Sequence, residues 1–345
     1  MLIIVFLLQT RIQSILYHKA HYCCIMYSWL APLCLILTGI FTLRYTLIID
    51  IESYTLTIDT TSYTLTIDTA SYILISTIGA GMSMKKLALI QLATEVGHID
   101  KNYAMVREAI LKAAEGAPHI IVLPETWNTG FYPTADLIKE ADANGDRTQE
   151  FLKELAQETH CHIVGGSVST VKDSQVYNTT YIVNRAGEVI SSYDKVHCFS
   201  PAKEDVFYAG GMGVHKFMLD DLACSSITCY DIRFPELVRM AALQHIDILF
   251  VPAQWPTSRL AHWRILNQAR AIENQMFVCA INGCGAIGRA TMAGHSLVID
   301  PFGEILLELD SSPSIQYVMI DPEVIKPIRE KINVFKDRRP ELYKL

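Results

Sequence analysis

At 345 residues, half of them hydrophobic, the chain is long enough for one large domain or two small ones with a sizeable core. A net charge of −7 leaves no basic footprint for nucleic acid or an anionic membrane. The nine cysteines form no CxxC pair and no His/Cys cluster at zinc spacing. No metal site is therefore expected, and the odd, unpatterned count points to a reducing, cytoplasmic compartment.

Residues 1–83 differ in kind from the rest. Residues 21–43 are 23 positions without Asp, Glu, Lys or Arg. A membrane helix needs about 20 such residues, although Pro32, Gly39 and scattered polar residues interrupt the run. Near-copies of a nine-residue unit then start at Tyr45, Tyr54 and Tyr63, with a decayed fourth at Tyr72. An odd period does not keep a two-residue alternation in phase, and the copies are too few for a solenoid. One reading is a poorly ordered tail or a translated upstream repeat, with initiation at Met82 or Met84. The other is membrane attachment through residues 21–43. A cleaved secretory signal is not expected, because the apolar segment lies too far in. The expected organisation is an atypical extension over 1–83 and one domain over 84–345.

From Met84 the pattern changes. Leu87-Ala-Leu-Ile-Gln-Leu-Ala predicts a buried strand, and helical spacing at Tyr103, Val106, Ile110 and Ala114 predicts a helix over 102–115 that Gly116 stops. His119-Ile-Ile-Val-Leu is a second buried strand, closing on Pro124-Glu125-Thr126-Trp127. Helices are expected near 135–141 and 149–159, then a strand from His162. The stretch from Tyr177 to Ile190 reads as a hairpin leading into Tyr193-Asp194-Lys195-Val196-His197. Ala223-Cys-Ser-Ser-Ile-Thr-Cys229 is a strand ending at the thiol, with a tight turn and a helix over about 233–243 after it. A strand over 246–251, a loop over 252–256, a helix over 259–274 and a strand over 276–282 follow. A Pro/Gly-turned hairpin begins at Gly294, and Asp321-Pro322 reads as an N-cap with proline at the first helical position. Strands alternating with helices, broken by hairpins, predict an α/β chain with two mixed sheets and helices on their outer faces.

Three polar residues stand where buried strands hand over to loops: Glu125, Lys195 and Cys229. Taken singly, each also fits a plain structural role: a core thiol, a surface lysine, a helix-capping glutamate. Their separation in sequence leaves the choice open.

The blocks Leu123-Pro124-Glu125-Thr126, Tyr193-Asp194-Lys195-Val196-His197 and Thr228-Cys229-Tyr230-Asp231-Ile232-Arg233-Phe234-Pro235-Glu236 stand in that order. Together with Tyr177-Asn178-Thr179, Arg270-Ala271-Ile272-Glu273-Asn274 and Gly294-His295-Ser296, they resemble the nitrilase superfamily of carbon–nitrogen hydrolases over about 86–342. The resemblance implies a four-layer αββα sandwich that pairs as a homodimer or higher homo-oligomer. It implies no cofactor. It makes Glu125 the general base, Lys195 the oxyanion-stabilising cation, Cys229 the nucleophile that forms a thioester, and Glu204 a fourth, assisting carboxylate, with Asp205 as the local alternative. The physics is consistent with these roles. A thiol near pKa 8.5 is mostly protonated at neutral pH and needs a base or a cation beside it. The Tyr230 N–H is a second candidate donor to the oxyanion.

Arg233, four residues after the thiol, is a candidate clamp for a substrate carboxylate, since guanidinium and carboxylate pair in bidentate fashion. Its alternative is to hold the turn by pairing with Asp231 or Glu236. Trp127, Phe131, Tyr132, Gln254 and Trp255 lie on loops after strands and are expected to shape the pocket. The run from Gln254 to Met276 most resembles the ω-amidase-like branch. That implies a small-molecule amide substrate, the ω-amide of a 2-oxo dicarboxylic acid, with N-carbamoyl hydrolysis or nitrile hydrolysis as the enzymatic alternative and an inactive scaffold as the non-enzymatic one. Arg264, Arg270 and Glu273 read as structural ion pairs. Gly210-Gly211-Met212-Gly213 is not a phosphate loop, because no Lys-Ser/Thr follows.

Overall fold

The computed structural model describes Tyr45–Asp50, Thr55–Thr60, Tyr63–Ile67 and residues 84–343, apart from Tyr132, Thr134 and Arg289. The apolar run over 21–43 and Met82 lie outside the described residues. Among those described, no helix is long and apolar enough to cross a membrane. Two units divide at Met82/Ser83. In the first, β1 (Tyr45–Asp50), β2 (Thr55–Thr60) and β3 (Tyr63–Ile67) form an antiparallel sheet. Each copy of the nine-residue unit supplies one strand, with Tyr45 opposite Thr60 and Thr60 opposite Tyr63.

The second unit opens with β4 (Lys85–Gln91), α1 (Ile99–Ala114), β5 (Ile120–Val122), α2 (Leu137–Glu140) and β6 (Asp142–Ala143). Then come α3 (Asp146–Thr159), β7 (His162–Val164), β8 (Val168–Lys172), β9 (Gln175–Val183) and β10 (Val189–Asp194). Its second half holds α4 (Glu204–Phe207), β11 (Lys216–Leu219), β12 (Leu222–Ser226), α5 (Pro235–Ala242), β13 (Ile248–Ala253), α6 (Leu260–Asn274) and β14 (Phe277–Asn282). The chain finishes through β15 (Cys284–Ile287), β16 (Ala290–Ala293), β17 (Leu297–Ile299), β18 (Ile305–Glu308), β19 (Ser314–Ile320) and α7 (Ile325–Lys331).

One sheet runs β19-β4-β5-β7-β9-β8-β6 with β10 on β9, and the other β11-β12-β13-β14-β17-β18. Both are mixed: β4, β5 and β7 are parallel, as are β12, β13 and β14, while the hairpins are antiparallel. Successive side chains of a strand point to opposite faces, and here both faces are apolar. Leu87 and Leu89 of β4 pack with Ile248 and Phe250 of β13 between the sheets. Ala88 and Ile90 pack outward with Val106 and Ile110 of α1 and Leu152 of α3. On the far side, Leu249 and Val251 meet Val238 of α5 and Trp263 of α6. The result is four layers, α, β, β and α. Burying one such Leu, Ile or Phe contributes about 1.5–3 kcal/mol.

Several boundaries differ from expectation for identifiable reasons. Helix α1 begins at Ile99, three residues before the expected start. Asn102, inside the helix, uses its amide to donate to the carbonyls of Glu95 (2.7 Å) and Asn128 (2.9 Å) and to accept from Glu95 N. Pro252, expected in a loop, lies inside β13. Strand β12 pairs with β13 only as far as Phe250, so a residue without N–H beyond that point sacrifices no bond on that side. Strand β12 ends at Ser226, and Cys229 opens a single 3₁₀ turn, Cys229–Arg233, before α5 starts at Pro235. The hairpin of β15 and β16 was not anticipated at all.

Candidate active site

The loops after β5, β10, β12 and β13 converge at one end of the sandwich. The loop after β5 carries Glu125. Ser167 N donates to the Pro124 carbonyl (3.0 Å), and Thr126 N donates to Ser167 Oγ (3.0 Å). This closeness needs Gly166, whose φ is +61 and at which a Cβ would collide with the Pro124 and Leu123 carbonyls. Lys195 follows β10. Its N–H donates to the Asn178 carbonyl (2.9 Å), and its carbonyl accepts from Gly211 N (2.8 Å). A Cβ at Gly211 would strike the Asp194 carbonyl, so the glycine run braces the lysine from behind.

Cys229 has φ +50, the left-handed region that a residue with a side chain enters only when its surroundings hold it there. The surroundings are visible. Asp231, fully buried, accepts from Thr228 N (3.0 Å), Tyr193 Oη (2.6 Å) and His197 N (2.9 Å). Arg270 donates through Nε (3.0 Å) and Nη2 (2.9 Å) to the Ile232 carbonyl, and pairs with Glu273 at 2.9 Å. Arg264 pairs with Glu308 at 2.6 Å. The expected structural pairs on α6 are thus present, and one of them pins the turn after the thiol.

Four separated residues meet. Lys195 Nζ donates to Glu125 Oε1 (2.8 Å) and to Glu204 Oε1 and Oε2 (2.9 and 2.8 Å). Glu125 Oε2 accepts from Gln254 N (2.7 Å), and the Glu125 carbonyl accepts from Gln254 Nε2 (2.9 Å). The Cys229 thiol lies 4.0 Å from the Gln254 carbonyl, buried close enough to Glu125 and Lys195 for their charges to act on it. Glu204 opens α4 with its carboxylate turned inward, where Oε2 accepts from Phe199 N (2.6 Å). Asp205, the local alternative, is exposed on the other side of that helical turn.

Burial shapes the charges. It pushes the Cys229 thiol well above its ordinary pKa, reinforced by Glu125 and opposed by Lys195. It raises Glu125 as well, against the pull of Lys195 and with the push of Glu204. Burial also disfavours the Lys195 ammonium, but the two carboxylates more than reverse this and hold its pKa well above the usual lysine range. Burial thus favours the neutral form of the thiol, while the two glutamates favour the ammonium form of Lys195 beside it.

The thiol opens onto a cavity of about 30 Å³ lined by Phe131, Tyr230, Trp255, Met292 and the two arginines Arg233 and Arg259. The space is on the scale of one or two water-sized groups, which admits the head of a small substrate. Tyr230 sits edge-on to Phe199 and Phe234. Trp255 is buried, and its Nε1 donates to the Arg259 carbonyl (2.8 Å). Arg233 pairs with neither Asp231 nor Glu236; its guanidinium lies over the Trp255 ring, 4.7 Å from the centroid, with Nη2 3.4 Å from His262 Nδ1. Trp127 packs away from the cavity against Tyr103. Tyr132 lies outside the described residues.

Sequence reasoning did not single out Asn178, whose Nδ2 donates to Glu125 Oε1 (2.9 Å) and Glu204 Oε1 (3.2 Å). It also missed Phe199, Arg259 and Met292. Asn178 and Arg259 had a signal, since each stands inside a stretch that carried the resemblance; Phe199 and Met292 had none. Among the described residues no cluster of metal-ligand side chains occurs.

The chain belongs to the carbon–nitrogen hydrolase family, whose pattern residues 86–330 match. It is an amidase-class enzyme on a nitrilase-type sandwich. It is 43% identical over 224 residues to the 2-oxoglutaramate amidase of Bacillus subtilis, covering 65% of this chain and 86% of that one. It is 40% identical over 261 residues to a hydrolase in the agr operon of Staphylococcus aureus, covering 75% and 100%. Among solved structures it resembles a mutant of the amidase from Nesterenkonia sp. AN1 that carries the acetamide moiety of fluoroacetamide on its active-site cysteine. That match has a TM-score of 0.67 at 25% identity, covering 75% of this chain and 95% of the other.

Proposed function

We propose that the enzyme hydrolyses the ω-amide of a small 2-oxo dicarboxylic acid monoamide through a thioester on Cys229. The observation that carries the mechanism is the burial of the Cys229 thiol beside the hydrogen-bonded pair of Lys195 and Glu125, whose charges both act on it. Glu125 takes the thiol proton as sulfur attacks the amide carbon. Lys195 Nζ and the Tyr230 N–H receive the oxyanion, and removing such a donor costs about 10²–10³ in rate. Glu125 then returns the proton to nitrogen, the C–N bond breaks and ammonia leaves. Water attacks the thioester, Glu125 accepts its proton, and the C–S bond breaks with the proton returned to sulfur. Glu204 and Asn178 hold Lys195 and Glu125 in register. Arg233, a half-buried cation without a carboxylate partner among the described residues, supports a carboxylate on the substrate, as does the likeness to a 2-oxoglutaramate amidase.

The test is a panel of 2-oxoglutaramate, N-carbamoyl amino acids and nitriles, with rapid-quench mass spectrometry. A preferred 2-oxoglutaramate and an acyl adduct on Cys229 that vanishes in Cys229→Ala are expected. Full turnover by Cys229→Ala, or preference for another substrate class, sinks the reading.

We also infer a homodimer. Met240 of α5, Ile265 and Ile272 of α6 and Phe302 beside them leave large apolar side chains exposed on one helical layer; light scattering that gives a monomer at micromolar concentration refutes it. A cytoplasmic location is consistent with the six free thiols among the described residues. The proposed organisation keeps 84–345 as the hydrolase domain and 1–83 as an extension. Peptide mapping of the native N-terminus tests the reading that translation starts at Met82 or Met84.

A further inference from the structure

The cations around the cavity differ in how they are paired. Lys195, Arg264 and Arg270 each rest on a carboxylate. Arg233 and Arg259 line the cavity, and among the described residues neither has a carboxylate within ion-pair distance. Each lies instead over a ring: Arg233 over Trp255, 4.7 Å from the centroid, and Arg259 over Phe199, 5.2 Å from the centroid. Those rings are tied to the site. Trp255 donates to the Arg259 carbonyl, and Phe199 N donates to Glu204. Burial, with the neighbouring charge of Arg259, pulls Arg233 below the usual arginine range. Two half-buried like charges facing one cavity cost stability, and a ring face offsets only about 0.5–2 kcal/mol for each. An anionic ligand would neutralise both.

We propose that Arg259 is a specificity-determining residue which, with Arg233, forms a two-guanidinium receptor for the oxygen-rich end of a 2-oxo acid. The proposal rests on the substrate reading above and narrows it. A carboxylate offers two oxygens to one guanidinium fork, and the adjacent 2-oxo group offers a third acceptor that a second fork can meet. The matching amino acid carries an α-ammonium in place of that carbonyl. Setting it against two cations is a like-charge clash of the kind that excludes wrong partners. Arg259 thereby admits the 2-oxo amide and rejects the amino-acid amide that shares its head group.

The experiment compares wild type, Arg259→Gln and Arg259→Lys on 2-oxoglutaramate, glutamine and pentanamide, which present the same primary amide. Arg259→Gln is expected to lower kcat/KM for 2-oxoglutaramate about 10- to 100-fold, chiefly through KM, as for loss of a hydrogen bond to a charged group. The ratio of 2-oxoglutaramate to glutamine turnover falls with it, as does the ratio to pentanamide. Arg259→Lys, which keeps the charge and loses the fork, restores rejection of glutamine better than it restores KM. Equal losses on all three amides, or none on 2-oxoglutaramate, overturn the proposal. Calorimetric binding of 2-oxoglutarate and of glutarate to wild type and Arg259→Gln separates the two claims. Arg259-dependent binding of 2-oxoglutarate without cleavage of 2-oxoglutaramate defeats the substrate reading and upholds the receptor. Cleavage with Arg259-independent binding does the reverse.

Discussion

The inner and outer halves of the catalytic cavity treat charge in opposite ways. Inside, Lys195 lies between Glu125 and Glu204, all three buried and hydrogen-bonded, and Asn178 and Gln254 fill remaining lone pairs. At the mouth, Arg233 and Arg259 are half-buried and rest on rings rather than on carboxylates. A charge placed in low dielectric persists only when paired, so the inner set is complete before substrate arrives. The outer set has no carboxylate among the described residues, and the partner proposed for it is the anionic end of the substrate. Machinery and recognition are thus distinguishable by whether the fold has already satisfied the charge.

The contrast can be broken most sharply at Lys195. Lys195→Met strands two buried carboxylates and is expected to cost about 3–5 kcal/mol in urea unfolding at neutral pH, with turnover lost. The cost shrinks as pH falls, because the stranded carboxylates take up protons. In the wild type the sign runs the other way for the lysine itself. Its folded-state pKa is raised, so its contribution is complete below about pH 10.4 and is lost only as pH climbs through the folded value. A stability curve that titrates with Lys195 near neutrality contradicts this pairing.

Arg233→Gln probes the outer half. Its charge gains from the Trp255 ring and loses from the neighbouring Arg259, effects of opposite sign, so urea unfolding should move by no more than about 1 kcal/mol. KM for 2-oxoglutaramate, measured against pentanamide, should rise about 10- to 100-fold. A large stability loss with unchanged KM would reassign Arg233 to holding the turn, the role that Arg270 and Asp231 occupy here.

The smallest effect is expected from Glu204→Gln, which can keep an acceptor for Phe199 N and removes one negative charge. That charge is among the causes raising Glu125. The acid limb of kcat/KM, which requires Glu125 as a carboxylate, lies above the ordinary glutamate range in the wild type and should move to lower pH in the variant. A limb that stays put would show that Glu125 is not the group titrating.

How much of this was legible in the chain varies with the physics involved. Glu125, Lys195 and Cys229 stood out as polar side chains at the ends of apolar strands, and the resemblance of their ordered blocks chose them over plain structural roles. Glu204 and Asp205 are adjacent carboxylates, and only the helical turn of α4 sends the first inward and the second to solvent. For Arg233 the sequence offered substrate or turn. The turn proved to be held from α6, 38 positions further along the chain. Arg259 stood in the sequence as the start of a helix, and Phe199, arriving from another loop, lies beneath its guanidinium.

By itself, then, the sequence determined the alternation of apolar strands and amphipathic helices, hence an α/β sandwich. Its ordered blocks identified the family, because these are local properties of a dozen residues at a time. The left-handed backbone at Cys229, the pairing of Lys195 with two carboxylates, and the two unneutralised guanidiniums were decided by tertiary structure alone. They depend on loops from different strands arriving within hydrogen-bond distance, and no local pattern of residues encodes that distance.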